Sequence, residues 1–180
     1  DVWLTSTKSP KDSMAKAREL AQKAIVLDDS LGEAHALLGY LFVMARKHDK
    51  AVALAEKAVA LNPNSSDIHY RLGKIFTFVG RWEEAILEYK QAIRLDPIPL
   101  NYYLWSLGYA YAWTGQFEEA ITWGEKAVRE KPDSLFTHLM LAVVYSFSGR
   151  DEDARVEAAE VLRINPKFSL EKYAKRVTYK

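Results

Sequence analysis

The chain has 180 residues, with 25 Lys and Arg against 24 Asp and Glu, 49% hydrophobic residues and no cysteine. A disulfide scaffold, a thiolate metal site and a cysteine nucleophile are therefore excluded, and the balanced charge argues against a dedicated nucleic-acid binder or an acidic disordered tail. Eight Gly and six Pro in a chain rich in Ala, Leu, Glu, Lys and Arg point to ordered helices.

The first residue is Asp1, and nothing near it carries the basic head, apolar stretch and small-residue cleavage site of a secretory leader. The chain thus reads as excised from a longer protein. Its richest apolar stretch, Tyr102 to Trp113, is interrupted by Ser106 and bracketed by Pro99 and Gly115. That is short of the roughly 18 residues that a bilayer span needs.

A fixed period organises the sequence. Leu38-Gly39, Leu72-Gly73, Leu107-Gly108 and Leu141-Ala142 are followed three positions later by Phe42, Phe76, Tyr111 and Tyr145. Further on in each copy come Ala51, Ala85, Ala120 and Ala154, and then Pro63, Pro97, Pro132 and Pro166. The period is 34 residues except for a one-residue slip at Asp96-Pro97-Ile98-Pro99, where a second proline lengthens the connector. Each copy reads as two antiparallel helices. Asp67 to Val79 places Ile68, Leu72, Ile75, Phe76 and Val79 on one helical face and stops at Gly80. Trp82 to Leu95 does the same with Ala85, Ile86, Tyr89, Ala92 and Ile93, opens with Glu83 and Glu84, and stops before Pro97. The small residues let two helix axes approach closely, and because one such pair cannot bury its apolar face, neighbours must stack.

These residues resemble the tetratricopeptide repeat family, a helix-turn-helix of about 34 residues with Leu-Gly, aromatic, Ala and Pro signposts. The resemblance implies an all-α fold, a right-handed solenoid of antiparallel helix pairs. In chain order, residues 1–30 hold the end of a truncated unit: residues 1–10 as the tail of its first helix and residues 11–28 as its second, with Ala17 and Ala24 in the two alanine columns. Four units follow over residues 31–168, at about 32–65, 66–100, 101–134 and 135–168, and residues 169–180 begin a capping helix with Ser169 as N-cap. Some positions depart from the pattern. His35, His69, Leu104 and His138 replace an aromatic, Arg46 replaces the turn glycine, Val161 an alanine and Gly124 a bulky residue. Gly124 costs a helix about 1 kcal/mol relative to Ala unless something approaches closely there. Residues 165–180 also resemble the end of repeat segments in bacterial multidomain signalling proteins, including some nucleotide cyclases.

Chemistry is sparse. His35, His69 and His138 share one column, so each is a whole repeat from the next and they cannot converge on one metal ion. The acidic groups Glu83-Glu84, Glu118-Glu119 and Asp151-Glu152-Asp153 each open a second helix, where the dipole favours negative charge. No Gly-rich phosphate loop or nucleophile elbow occurs. The expectation is a chain without catalytic, cofactor or metal sites. The basic tail Lys172, Lys175, Arg176 and Lys180 reads as a solvated helix face rather than a contact for nucleic acid or membrane.

The resemblance also places the first helices of the units along a concave face. The partner-binding residues it implies are Tyr40, Tyr70, Arg71, Lys74, Phe78, Tyr102, Trp105, Tyr109, Trp113, Phe136 and Met140. The Lys and Asn clamp that some members use for acidic chaperone tails is absent: the equivalent positions hold Ala36, Tyr40, Arg71, Tyr102 and Ser106, or in the next register Tyr70, Lys74, Ser106, Phe136 and Met140. Aromatic side chains offer about 150–250 Å² each. Six half-covered rings would therefore expose about 450–750 Å², against about 300–600 Å² for the largest apolar patch of a typical monomer. The expected function is a non-catalytic module of a larger bacterial protein in the cytoplasm, binding a peptide or helix of a protein partner. The alternative is self-association within a multidomain signalling enzyme such as a nucleotide cyclase.

Overall fold

A computed structural model of the chain describes residues 10–177. They form α1 (Pro10–Leu27), α2 (Gly32–Met44), α3 (His48–Leu61), α4 (Ser66–Val79), α5 (Trp82–Leu95), α6 (Asn101–Trp113), α7 (Phe117–Glu130), α8 (Leu135–Phe147), α9 (Asp151–Ile164) and α10 (Leu170–Val177). No strand occurs among the described residues. Pro10 opens α1, where its missing N–H costs nothing. The Ser169 hydroxyl accepts the backbone N–H of Lys172 at 3.4 Å and so caps the start of α10. Apart from Pro10, the tail of a first helix expected over residues 1–10 lies outside the described residues.

The chain divides between Ile98 and Pro99 into two compact units. The break falls in the connector that carries two prolines and the extra residue. In the first unit α2 pairs with α3 and α4 with α5, α4 packs on α2 and α3, and α1 lies on α2. In the second α6 pairs with α7 and α8 with α9, while α8 packs on α7 and touches α6.

The columns that define the period are the ones that carry the packing. Ala51, Ala85 and Ala120 are fully buried, as are Ile68, Ile75, Leu107 and Leu141. At Gly39 a Cβ would stand 2.9 Å from the carbonyl oxygen of Ala51, so the two axes of this pair approach too closely for any side chain. The aromatic column is buried in the later copies, at Phe76, Tyr111 and Tyr145. Its outer ring faces carry cations from just beyond the turn: Arg81 lies 4.3 Å from the centre of Phe76 and Arg150 lies 4.5 Å from that of Tyr145. The same arginines bond the first-turn acids Glu84 and Asp153 of α5 and α9.

Each first helix ends in one left-handed residue. Gly80, Gly115 and Gly149 have φ between 73° and 80°, and Arg46 holds φ 57° in the same place. The next N–H closes the helix by reaching back to the aromatic column's carbonyl, at 2.9 Å for Lys47 to Phe42 and for Arg81 to Phe76. A side chain in this conformation costs roughly 1–2 kcal/mol, and Arg46 itself is exposed. Arg46→Gly should therefore stabilise the protein by about 0.5–1 kcal/mol, after the larger chain entropy of glycine is counted. An increase in the urea midpoint at constant slope is the expected reading.

Gly124 has a packing reason. A Cβ there would come within 2.6 Å of Leu141 Cδ2 and 2.8 Å of Met140 Cε, and Leu141 is completely buried. The bulky residue of the family pattern is excluded because α8 lies directly on α7. Gly124→Ala gains about 1 kcal/mol of helix propensity and loses about 1–3 kcal/mol to overpacking. Thermal denaturation should show a net loss of stability, by about 1 kcal/mol.

Candidate functional site

The first helices differ in charge between the two units. In the first unit α2 contributes Glu33 and α4 contributes Asp67, Arg71 and Lys74. Arg71 is engaged along its own helix, its Nε 2.6 Å from Asp67 Oδ2. Lys74 lies between two rings, its Nζ 5.7 Å from the centres of both Tyr40 and Phe78, which meet edge to face at 6.4 Å. Burial alone holds the Lys74 ammonium below its ordinary pKa, and the two ring faces partly replace the water it loses. Tyr70 is half-buried, leaning on the buried Tyr89 at 5.7 Å. The first-unit site residues thus form an aromatic cluster around one desolvated cation.

In the second unit α6 and α8, thirteen residues each, contain no Asp, Glu, Lys or Arg. Trp105 stacks on Tyr109 at 5.2 Å with 20° between the planes, and Tyr109 meets Trp113 edge to face at 6.1 Å. The spacing of four residues puts these rings one above another on a helix. The indole N–H of Trp105 donates to the carbonyl oxygen of Phe136 at 3.2 Å, tying α6 to α8. Trp113 is 60% exposed, Phe136 53% and Tyr102 41%. Met140 differs from the others. It is only 7% exposed, and its methyl lies against Gly108 and Gly124, so it is packing between helix pairs rather than open surface. Ser106 and Ala36, at positions equivalent to the chaperone-tail clamp, are buried too.

Sequence reasoning missed a cleft of about 830 Å³ on the second unit, lined by residues that include Leu139, Val143, Phe147, Ala154, Ala158 and Leu170. Ala154 and Ala158 stand one period after Ala120 and Gly124, which α8 covers. The repeat columns could have located this opening. Phe147 at its edge is 72% exposed and stacks on Phe117 at 5.9 Å.

Among the described residues no group of three or more His, Asp or Glu side chains is placed to hold a metal ion, and no helix is long and apolar enough to cross a membrane. The three histidines of this column are buried, at 2–6% exposure, and they secure the connectors. His69 donates from Nε2 to the carbonyl of Pro63 at 2.9 Å, and His138 to that of Pro132 at 2.7 Å. Their Nδ1 atoms meet Glu88 at 2.6 Å and Glu157 at 2.5 Å on the paired second helix. The glutamate lies nineteen residues on in both copies, a signal present in the sequence but visible only once the pairing is known. The first copy has Leu54 at that offset, and Nδ1 of His35 is buried without a hydrogen-bond partner.

The sequence profile of the tetratricopeptide repeat family matches residues 12–66, 37–97 and 70–134. Among curated proteins no sequence match is found. Solved structures do match. One is MamA, with TM-score 0.75 and 23% identity over 92% of this chain and 93% of that one. Another is YrrB, described as a repeat protein of this class with an unusual peptide-binding site, with TM-score 0.74 and 21% identity over 92% of this chain and 85% of that one. A third is PilW, a type IV pilus biogenesis factor, with TM-score 0.82 and 18% identity over 92% of this chain and 79% of that one. At these identities the likeness shows the fold.

The His69–Glu88 pair makes stability depend on pH. The Glu88 hydrogen bond raises the His69 pKa above its ordinary value near 6.5, burial opposes this, and the Pro63 carbonyl reinforces it. A histidine more basic in the fold than in the unfolded chain contributes fully below that ordinary value, and its contribution disappears as pH rises through the raised one. Glu88→Gln should therefore cost more stability at about pH 6 than at about pH 9. Urea unfolding of both proteins at the two pH values checks this; an equal cost at both would contradict it.

Proposed function

Because the chain belongs to the tetratricopeptide repeat family, a scaffold that binds protein or peptide partners, we propose that the first-helix faces of its two units are the partner-binding surfaces. The observation that carries this reading is the exposed, uncharged aromatic array of α6 and α8, where Trp113, Phe136 and Tyr102 leave much of their area to solvent. Large rings exposed together on a soluble scaffold mark an interaction site more often than singly scattered ones do. Trp and Tyr are also the residues that dominate binding hot spots. Trp105, Tyr109, Trp113, Phe136 and Tyr102 are the anchors on the second unit, with Met140 as the packed floor. Tyr40, Tyr70, Arg71, Lys74 and Phe78 form the polar counterpart on the first. That YrrB, a structure of similar fold, has a described peptide-binding site supports the same use of the scaffold.

The module acts by binding and carries no chemistry of its own, as part of a larger bacterial protein in the cytoplasm. Pairing of two copies through the same exposed rings is the second reading, and a molecular mass that rises with concentration in light scattering would favour it. Nothing in the comparisons adds to the resemblance of residues 165–180 to nucleotide cyclase segments.

The test is a selection from a random-peptide display library on residues 1–180, with selected peptides then titrated against the Trp105→Ala, Tyr109→Ala double variant. The expected result is a loss of affinity of about a hundredfold with helical circular dichroism unchanged. Peptides that bind both proteins equally, or a library that yields none, would contradict the groove reading.

A further inference from the structure

Each unit leaves one helix flank uncovered, and the two flanks are of different kinds. On the second unit it is the cleft of about 830 Å³ along α8 and α9. Its residues Ala142 and Ala158 stand one period after Gly108 and Gly124. Met140 of α8 crowds both of those glycines, and Leu141 crowds Gly124. By the repeat, then, the cleft is the seat of a first helix that would bring large apolar side chains onto small ones. The residues one period after Met140 and Leu141 are Ala174 and Lys175, so the period supplies no second apolar pair for this place. At the rim Asp151 and Arg155 stand four residues apart on α9, both exposed and neither in an ion pair among the described residues.

On the first unit the uncovered flank belongs to α1. Ala17, Leu20, Ala24 and Leu27 stand one period before Ala51, Leu54, Ala58 and Leu61. Through that stretch α3 meets its own first helix: Ala51 and Ala58 lie under Gly39 and Gly32 and are fully buried. Within its unit α1 packs on α2 alone. The turn column of Arg46, Gly80, Gly115 and Gly149 falls at Asp12, which lies inside α1 and does not take their left-handed conformation. The chain therefore does not fold back where the other hairpins do. Leu20 is accordingly 53% exposed and Leu27 86%. The four residues recur at i, i+3, i+7 and i+10, one apolar stripe along a helix. Beside the stripe Glu19 bonds Lys16 at 2.9 Å and Lys23 at 2.7 Å, all three exposed.

One flank is an apolar stripe on a helix and the other is a seat for such a helix. Their charges agree as well. Asp151 and Arg155 place an acid four residues before a base, and Glu19 and Lys23 do the same. Laid antiparallel, Glu19 faces Arg155 and Lys23 faces Asp151. Exposed pairs of this kind contribute little energy, so they set direction and register while apolar burial drives the contact. We infer that α1 of one copy of this chain seats in the α8–α9 cleft of a second copy, with Leu20 and Leu27 laid against Ala154 and Ala158. The two surfaces differ, so the contact is head-to-tail. Each pair of copies still offers one free α1 and one free cleft, and association continues past the dimer. None of Trp105, Tyr109 and Trp113 takes part, so this contact is independent of the partner-binding reading.

Sedimentation equilibrium of residues 1–180 from about 10 μM to about 1 mM, the range in which small interfaces form, tests this. The mass should rise with concentration past that of a dimer. Leu20→Glu with Leu27→Glu removes one surface, and Ala158→Glu with Leu162→Glu removes the other. All four positions are exposed, so helical circular dichroism should be unchanged in both double variants. Each variant alone should stay monomeric. An equimolar mixture of the two should form a dimer that grows no further, because each retains the surface that the other has lost. A wild-type mass that stays monomeric throughout, association that survives either double variant, or a mixture that stays monomeric would overturn the inference. Association lost in the Trp105→Ala, Tyr109→Ala variant but kept in both glutamate variants would place the contact at the rings instead, and this inference would fail while the ring surface stands.

Discussion

Two helices of thirteen or fourteen residues cannot hide their own apolar sides, and the structure follows from the way this chain meets that constraint. Each hairpin is drawn tight by small residues at the crossing: Ala51 under Gly39 in the first pair, Ala120 under Gly108 in the third. The tight crossing leaves each pair with a flat apolar flank that only another pair can cover. In the second unit Leu141 and Met140 of α8 press into the space left by Gly124 and Gly108. Burial is therefore concentrated between elements that are near in sequence, as the nearest-neighbour character of repeat proteins requires.

The same geometry frees the first helices on their other side. A first helix buries one face against its own second helix and another against a neighbouring pair, and the third is left over. In the first unit that remaining face is polar, with Arg71 bonded to Asp67 and Lys74 held between Tyr40 and Phe78. In the second it is a wall of rings without charge. Stability explains the columns and does not explain the wall, since none of Trp113, Phe136 or Tyr102 is needed to fill the core. That asymmetry is what directs attention to the partner.

Much of this was legible in the sequence because the period writes each structural need several times. The Leu-Gly, Ala and Pro columns locate the helix pairs, and the helix α5 begins and ends at the expected Trp82 and Leu95. What was not legible depends on neighbours across the pairing. Met140 shares its helix with exposed rings, yet α7 is so close at Gly124 that it is packed inside. The histidine column shows in the sequence, but the partners Glu88 and Glu157 of His69 and His138 show only once the helices are paired. The division between Ile98 and Pro99 was visible only as a one-residue slip, because spacing records the length of a connector and no more. The aromatic positions of the face were readable from the family's geometry, but their exposure and stacking required coordinates.

The rings of α6 and α8, and not the second helices, are proposed to receive the partner. The most direct measurement is the nuclear magnetic resonance of the tryptophan indole N–H groups of residues 1–180 while a selected peptide is added. Trp105 and Trp113 lie on α6, whereas Trp82 and Trp123 lie on the second helices α5 and α7. The resonances of Trp105 and Trp113 should move with the titration while those of Trp82 and Trp123 stay. Movement of Trp82 or Trp123 with Trp105 and Trp113 unchanged would contradict it.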